Sequence, residues 1–275
     1  MEFEARIATP LDREKISRLC VRAMGQDDYV LRILDSVIAS GGLLLAFQGA
    51  ELVGISNFSK NIDGTGWLGM ARTDPDWRRK GVALLLQKAI AEHARKLGIR
   101  ALRLFVLSTN TPSIRATLKG GFREVSDAGH VSRAIEGYLS ETDDAKIPAD
   151  YPLESLLGSR YLSKMNGYFG HSWSFVRADH AVLEKVRSQT YSVDDCVFIV
   201  SQPEMLEAHP HIEFALLEGS FKRGLRAAMK TCSLLGAESV GSFIPYEPYL
   251  LSIARNQGFK GDPWGWHSIV FEKKI

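Results

Sequence analysis

The sequence predicts an α/β (α+β) protein made of two tandem copies of one fold, residues 1–139 and 140–275. Three observations carry that reading. At 275 residues the chain is too long for one compact domain of this pattern and long enough for two. Short apolar runs that read as strands alternate with 3.6-periodic runs that read as helices. The chain also resembles itself: Lys-Leu-Gly98-Ile-Arg-Ala-Leu-Arg-Leu-Phe-Val-Leu followed by Lys-Gly-Gly-Phe122 has a counterpart in Leu-Leu-Gly236-Ala-Glu-Ser-Val-Gly-Ser-Phe-Ile-Pro followed by Asn-Gln-Gly-Phe259, at an offset of 138 residues that slips to 137. Repetition at domain length marks a duplication.

In chain order, Phe3–Asp12 reads as a strand and polar cap ahead of an amphipathic helix, and Trp173–Asp179 ahead of Val182–Val186 repeats that pattern. Asp28 suits the cap of a helix over Tyr29–Ile38. Trp67–Thr73 reads as a strand, Asp74–Lys80 as a turn, and Val82–Leu97 as a helix whose apolar residues are Leu84, Leu85, Ala89, Ile90, Ala94 and Leu97. Ala101–Leu107 alternates as a buried strand, and Asn110–Phe122 as a loop, a short helix and a turn. Glu141–Pro152, polar with two prolines, reads as a linker, and Leu153–Lys164 as a connecting helix.

The chemistry is concentrated between Asp74 and Gln87. Arg78, Arg79 and Lys80 precede Gly81, Val82 and Ala83, where the apolar helix begins. Free N–H groups of a helix's first turn, beside the positive end of its dipole, bind anions. Small residues at Gly81 and Ala83 admit a phosphate close to the backbone, and the three cations supply its counter-charge. Cations at a helix N-terminus are disfavoured by the dipole unless an anion is expected there.

Arg78-x-x-Gly81-x-Ala83 resembles the coenzyme A loop of the GNAT superfamily of N-acetyltransferases. Asn110, Gly121 and Phe122 resemble that family's second signature. The resemblance implies a mixed, mostly antiparallel central sheet with flanking helices in each copy, and a splayed parallel strand pair. It implies acetyl-CoA as cosubstrate, inserted between Trp67–Thr73 and Ala101–Leu107. Pantetheine would pair with the backbone around Arg72 and Thr73, leaving an N–H for the thioester carbonyl, and Asn110 would bond the pantetheine arm. The implied reaction is direct attack by a primary amine of a small molecule or peptide. Where many members carry a proton-donating tyrosine this chain has Thr117, a far weaker acid. For the base, Asp27 and Asp28 are the candidates, with Asp28 also read as a helix cap. A non-catalytic acyl-CoA-binding or regulatory module, and transfer of another acyl group, remain as alternatives.

The second copy lacks this loop: aligning Gly219 or Gly224 with Gly81 sets Phe221 or Arg226 where Ala83 stands. It is expected to be degenerate, either structural or shaping the acceptor site, and an interface with Trp173, Tyr168 and Trp264 would suit many small molecules. Neither a Walker A nor a dinucleotide fingerprint occurs. His209 and His211 have no third partner at metal-ligand spacing, so no metal is expected. His93 and His267 have no nucleophile beside them in sequence. With 34 Lys and Arg against 32 acidic residues, the net charge of +2 speaks against nucleic acid. No apolar run reaches the ~20 residues of a membrane span, and three separated cysteines read as reduced core thiols. The expected protein is cytoplasmic, a monomer or homodimer.

Overall fold

Periodicity decides which face of each helix is buried. The computed structural model describes residues 3–135, 145–147, 150–201, 211–261 and 267–275. Strand β1 (Glu4–Ile7) leads into α1 (Arg13–Met24) and α2 (Val30–Ala39), the latter burying Val30, Ile33, Leu34, Val37 and Ile38 at helical spacing. Then come β2 (Leu43–Gln48), β3 (Glu51–Lys60), β4 (Gly66–Thr73), α3 (Val82–Lys96), β5 (Ala101–Leu107), α4 (Thr111–Lys119) and β6 (Arg123–Ala134). Helix α3 packs on β2 and β3 through Val82, Leu86, Ile90, Ala91 and Ala94. That stripe is rotated from the expected one: the leucine run offers two overlapping faces, and Leu97 is left 56% exposed.

The second half holds β7 (Ala145–Lys146), α5 (Glu154–Leu157), α6 (Arg160–Lys164), β8 (Tyr168–His171), β9 (Ser174–Arg177), α7 (His180–Lys185), β10 (Thr190–Val193), β11 (Cys196–Ser201) and β12 (His211–Glu218). It ends in α8 (Phe221–Leu234), β13 (Ser239–Ile244), α9 (Pro248–Asn256), β14 (Lys260–Gly261) and β15 (His267–Lys274). The connecting helix expected over Leu153–Lys164 is two short helices. Gly158 ends the first, and the Ser159 hydroxyl caps the second by accepting from the Tyr161 and Leu162 N–H groups. Of the expected linker, residues 141–144 and 148–149 lie outside the described residues.

Contacts divide the chain into two units that are not contiguous in sequence. Unit 1 is Met1–Leu104, Thr111–Arg123 and Phe271–Ile275; unit 2 is Phe105–Asn110 and Glu124–Val270. Unit 1 is built on the strand order β1-β2-β3-β4-β5-β15, antiparallel from β1 to β4 and parallel between β4 and β5. Its last strand comes from the C-terminus of the chain: the Ile275 N–H donates to the Arg100 carbonyl, and Arg103 Nε meets Glu272 Oε2 at 2.8 Å. Unit 2 runs β6-β13-β12-β11-β10-β7, with β14 on β6 and a separate β8-β9 hairpin. Here β6 pairs with β13 from Gly129–Ile244 to Ala134–Ser239. Each unit is thus closed by a strand from the other half of the sequence. The core of unit 2 gathers Phe198, Phe214, Leu225, Ala228, Cys232, Val240 and Phe259.

Elements recur between the halves. The strand β5 and helix α4 correspond to β13 and α9, and Gly98, Gly121, Gly236 and Gly258 all stand at φ between 75° and 85° after helices.

Candidate functional site

The parallel ladder between β4 and β5 covers two pairs, Gly66–Leu102 and Trp67–Arg103. Beyond it β4 continues from Leu68 to Thr73 with β3 as its ladder partner among the described residues. The strand is also bulged. The register with β3 shifts between Ile55–Arg72 and Asn57–Gly69, so Met70 and Ala71 stand opposite Ser56, and Met70 takes a left-handed φ of 54°. A bulge bends its strand and re-aims its backbone groups. Among the described residues of unit 1 the result is a strand edge whose parallel ladder stops at Trp67, running on to Arg72 and Thr73.

At the end of that edge the chain makes a tight turn. Asp74 is 3% exposed and caps the short 3-10 turn Pro75–Trp77 by accepting from the Asp76 N–H at 3.0 Å. Both Asp74 oxygens also accept from Arg22, at 2.6 and 3.1 Å, and Arg22 reaches Asp76 at 2.7 Å. Hydrogen bonding to Arg22 holds the Asp74 carboxyl below its ordinary value. Arg22 therefore pairs with both acids that precede the cationic run. Nothing in the sequence pattern pairs it with Asp74, which lies 52 residues away.

The cations follow. Arg78 Nη2 donates to the Ala23 carbonyl at 3.1 Å, Arg79 adopts φ 64°, and Lys80 Nζ stands 4.5 Å over the Trp77 ring. All three are exposed. Gly81 caps α3 at φ 92°, a conformation that L side chains rarely adopt, and a Cβ there would meet nothing within 4 Å. The first turn of α3 has neither a side-chain cap nor an acidic residue. Val82, buried at 2%, holds this helix start against β3, where Gly54 leaves it room: a Cβ on Gly54 would lie 2.5 Å from Val82 Cγ1. Ala83 follows, half-buried. An unsatisfied helix start, a glycine facing open space and three exposed cations make an anion site suited to a diphosphate.

Asp28 has a different environment from the one a proton acceptor needs. Its carboxylate is 1% exposed and accepts from Arg72 Nε at 2.9 Å, Arg72 Nη2 at 2.7 Å and the Val30 N–H at 3.2 Å. Burial alone would raise its pKa; the hydrogen bonds and charge of Arg72, the Val30 N–H and the Cys20 thiol outweigh that and hold it below the ordinary carboxylate range. The Tyr29 ring lies under the Arg72 guanidinium, 5.4 Å from its centre. Asp28 thus ties the turn between α1 and α2 to the strand that carries Thr73. It does not cap α2 in the expected way, since the residue at the cap is Tyr29. Cys20, buried, is pushed up to about 12 by burial and by the Asp28 charge, and all three cysteines are buried and outside any disulfide.

Thr117 is 2% exposed in the last turn of α4, so it offers no accessible hydroxyl. Asn110 is exposed in unit 2 just beyond β5, its N–H donating to the Leu107 carbonyl at 2.8 Å.

In unit 2 the corresponding turn is closed. By helix start, Ser220 and Phe221 occupy the positions of Gly81 and Val82, one residue on from the alignment on Gly219, while Gly224 is buried inside α8. The Tyr161 hydroxyl and Arg160 Nη2 donate to the Gly219 carbonyl, each at 2.8 Å, and Ser159 Oγ bonds the Leu217 carbonyl. A Cβ on Gly219 would clash with the Asp195 carbonyl at 2.3 Å. The parallel ladder of β12 with β13 stops at Glu213–Gly241. Past it, Tyr161, Leu162, Tyr168 and Phe221 pack around Leu216 and Phe243, leaving a cavity of about 10 Å³. Tyr168 is buried in unit 2, Trp173 is half-buried there against the His130 and His211 rings, and Trp264 and His209 lie outside the described residues. His211 is taken up by Glu213 and Ser239, at 2.7 and 2.9 Å. Among the described residues no cluster of three or more metal-ligating side chains occurs and no helix is long and apolar enough to cross a membrane.

Residues 14–122 match the acetyltransferase (GNAT) family. A mycothiol acetyltransferase of Actinosynnema mirum is 31% identical over 101 residues, covering 36% of this chain and 34% of that one. The matched segment thus spans about a third of that relative. A GCN5-related N-acetyltransferase from Sphaerobacter thermophilus superposes with a TM-score of 0.60 over 99% of this chain and 95% of its own, at 11% identity. A candidate acetyltransferase from Thermoplasma acidophilum does so with 0.61 over the whole of both chains, at 14% identity. At such identities these structures show a shared fold. Residues 14–122 are thus similar to the acetyltransferase (GNAT) family.

Proposed function

We propose that this chain transfers an acetyl group from acetyl-CoA to a primary amine of a small molecule or peptide, with one coenzyme A site per chain. The observation that carries the reading is the pairing of an uncapped α3 start with the bulged, one-sided edge of β4. The diphosphate lies against Gly81, Val82 and Ala83, with Arg78, Arg79 and Lys80 as counter-charges. Pantetheine pairs along β4 to Arg72 and Thr73, whose N–H groups include the donor for the thioester oxygen, and Asn110 bonds its arm. Proximity of amine and thioester supplies most of the rate gain. Asp28 is a positioning residue through Arg72 and not the base.

The two halves are read as copies, residues 1–139 and 140–275, that exchange their last strands. The second is degenerate, since its helix start carries Phe221 and is sealed by α6. No metal takes part, and the protein acts in the cytoplasm as a monomer or homodimer. A binding module without turnover is the second reading, favoured by the burial of Thr117 where a proton donor is expected.

Thiol release from acetyl-CoA with glucosamine, tyramine, spermidine and trialanine separates the two. Amine-dependent release supports the enzyme; tight coenzyme A binding with no release above the hydrolysis background supports the module; loss of binding altogether overturns both.

A further inference from the structure

The start of α8 is sealed, yet unit 2 gathers positive charge elsewhere. Arg133 of β6, Arg226 and Met229 of α8, and Asn256, Gln257 and Gly258 at the end of α9 line a cavity of about 360 Å³. Small-molecule sites run from roughly 300 to 1,000 Å³, so this one admits a small molecule; coenzyme A is too large for it. One residue sets both guanidiniums. Arg133 Nη1 donates to the Gln257 carbonyl, and Arg226 Nε donates to Gln257 Oε1 at 3.2 Å. Gln257 Nε2 donates in turn to the Lys222 carbonyl at 3.1 Å, which fixes its side chain. Gly258 lets Arg133 lie against the backbone, since a Cβ there would stand 3.3 Å from the guanidinium carbon. Each arginine thus spends one N–H on Gln257 and keeps the others. Neither forms an ion pair among the described residues, and neither α8 nor α9 contains an acid. Lys222 and Lys230 stand one turn to either side of Arg226 on the same face of α8.

The fold itself asks for one cation at such a helix end. In unit 1, Lys273 of β15 donates to the Gly120 carbonyl at 2.7 Å and lies beside Gly121. That is a cation on a helix's last carbonyls, as Arg133 is. Gly120 has no side chain to hold a second, so Arg226 is an addition that packing does not require. Like charges converging on a cavity without an acid repel one another and call for an anion. A phosphate monoester carries nearly two negative charges at neutral pH and three acceptor oxygens, which suits a pair of guanidinium forks; a carboxylate carries one charge.

We propose that this cavity of unit 2 binds the phosphate group of a small phosphate monoester, held by Arg133 and Arg226, with Asn256 and Met229 beside its organic part. The site does not depend on the acetyl-CoA reading. Its test is titration with inorganic phosphate and with glucose 6-phosphate, followed by phosphorus NMR, in the full chain carrying Ala83→Asp, whose carboxylate repels anions from the start of α3. One saturable site per chain should remain, and glucose 6-phosphate should displace inorganic phosphate from it. Arg226→Gln should weaken it about tenfold or more. Arg133→Lys keeps the contact that Lys273 makes in unit 1 and loses the fork, so it should weaken binding while the melting temperature holds. Where either arginine variant fails to fold, Asn256→Asp, an exposed change that sets a carboxylate beside the cavity, should give the same loss. No phosphate binding at tens of millimolar, or affinities unchanged in the variants, would overturn the site. So would a site present in wild type and absent with Ala83→Asp, because it belongs to α3. An inorganic-phosphate site that glucose 6-phosphate does not enter, or equal binding of succinate, would overturn the monoester assignment.

Discussion

Ala83 separates binding from folding at the anion site. It is the second residue of α3, where a carboxylate is favoured by the helix dipole by about 0.3–1 kcal/mol, so Ala83→Asp should melt at or above the wild-type temperature. The same carboxylate would face the diphosphate and abolish coenzyme A binding in calorimetry. A substitution at Gly81 is a poorer test, because φ 92° strains any side chain. The proposed loop positions were readable because they are consecutive in the sequence. Asp28 was not, because its partner Arg72 lies 44 residues away and only the folded chain shows the pair. Asp28→Asn leaves the Arg72 charge buried and uncompensated, and should cost about 3–5 kcal/mol in urea unfolding.

The exchanged strands are held by buried charge. On β15, Glu272 meets Arg103, which also binds Asp63; on β6, His130 Nε2 meets Glu213 at 3.2 Å, and Glu213 also accepts from His211. Burial would raise the Glu213 pKa, but the two imidazoles lower it from 4.5 to about 2. A carboxylate lowered on folding contributes stability fully above its unfolded value and loses it as pH falls through the folded one. Glu213 should therefore contribute on the order of 3 kcal/mol above pH 4.5, lost between there and pH 2. Glu213→Gln should flatten the acid-unfolding curve in that window by circular dichroism; an unchanged slope would contradict the assignment. Strands β4, β5 and β13 and helices α3, α4 and α9 were readable from periodicity and the repeat. The bulge at Met70 was not, since neither residue type nor spacing demands it; the break at Gly158 was missed although glycine followed by a capping serine is a helix stop and start. The closing strands were hidden as well, because local sequence does not say which sheet a strand joins.

For the whole molecule, the proposed duplication and its asymmetry rest on a 138-residue repeat with one loop missing, while the sealing of the second turn by α6 depends on contacts formed across some 58 residues. The account's central claim is a single coenzyme A site, at the start of α3. Isothermal titration of coenzyme A into wild type, Ala83→Asp and Arg226→Ala tests it most directly. One site per chain in wild type and Arg226→Ala, and none in Ala83→Asp, is the predicted result. Two sites in wild type, or a site that survives in Ala83→Asp, would contradict it.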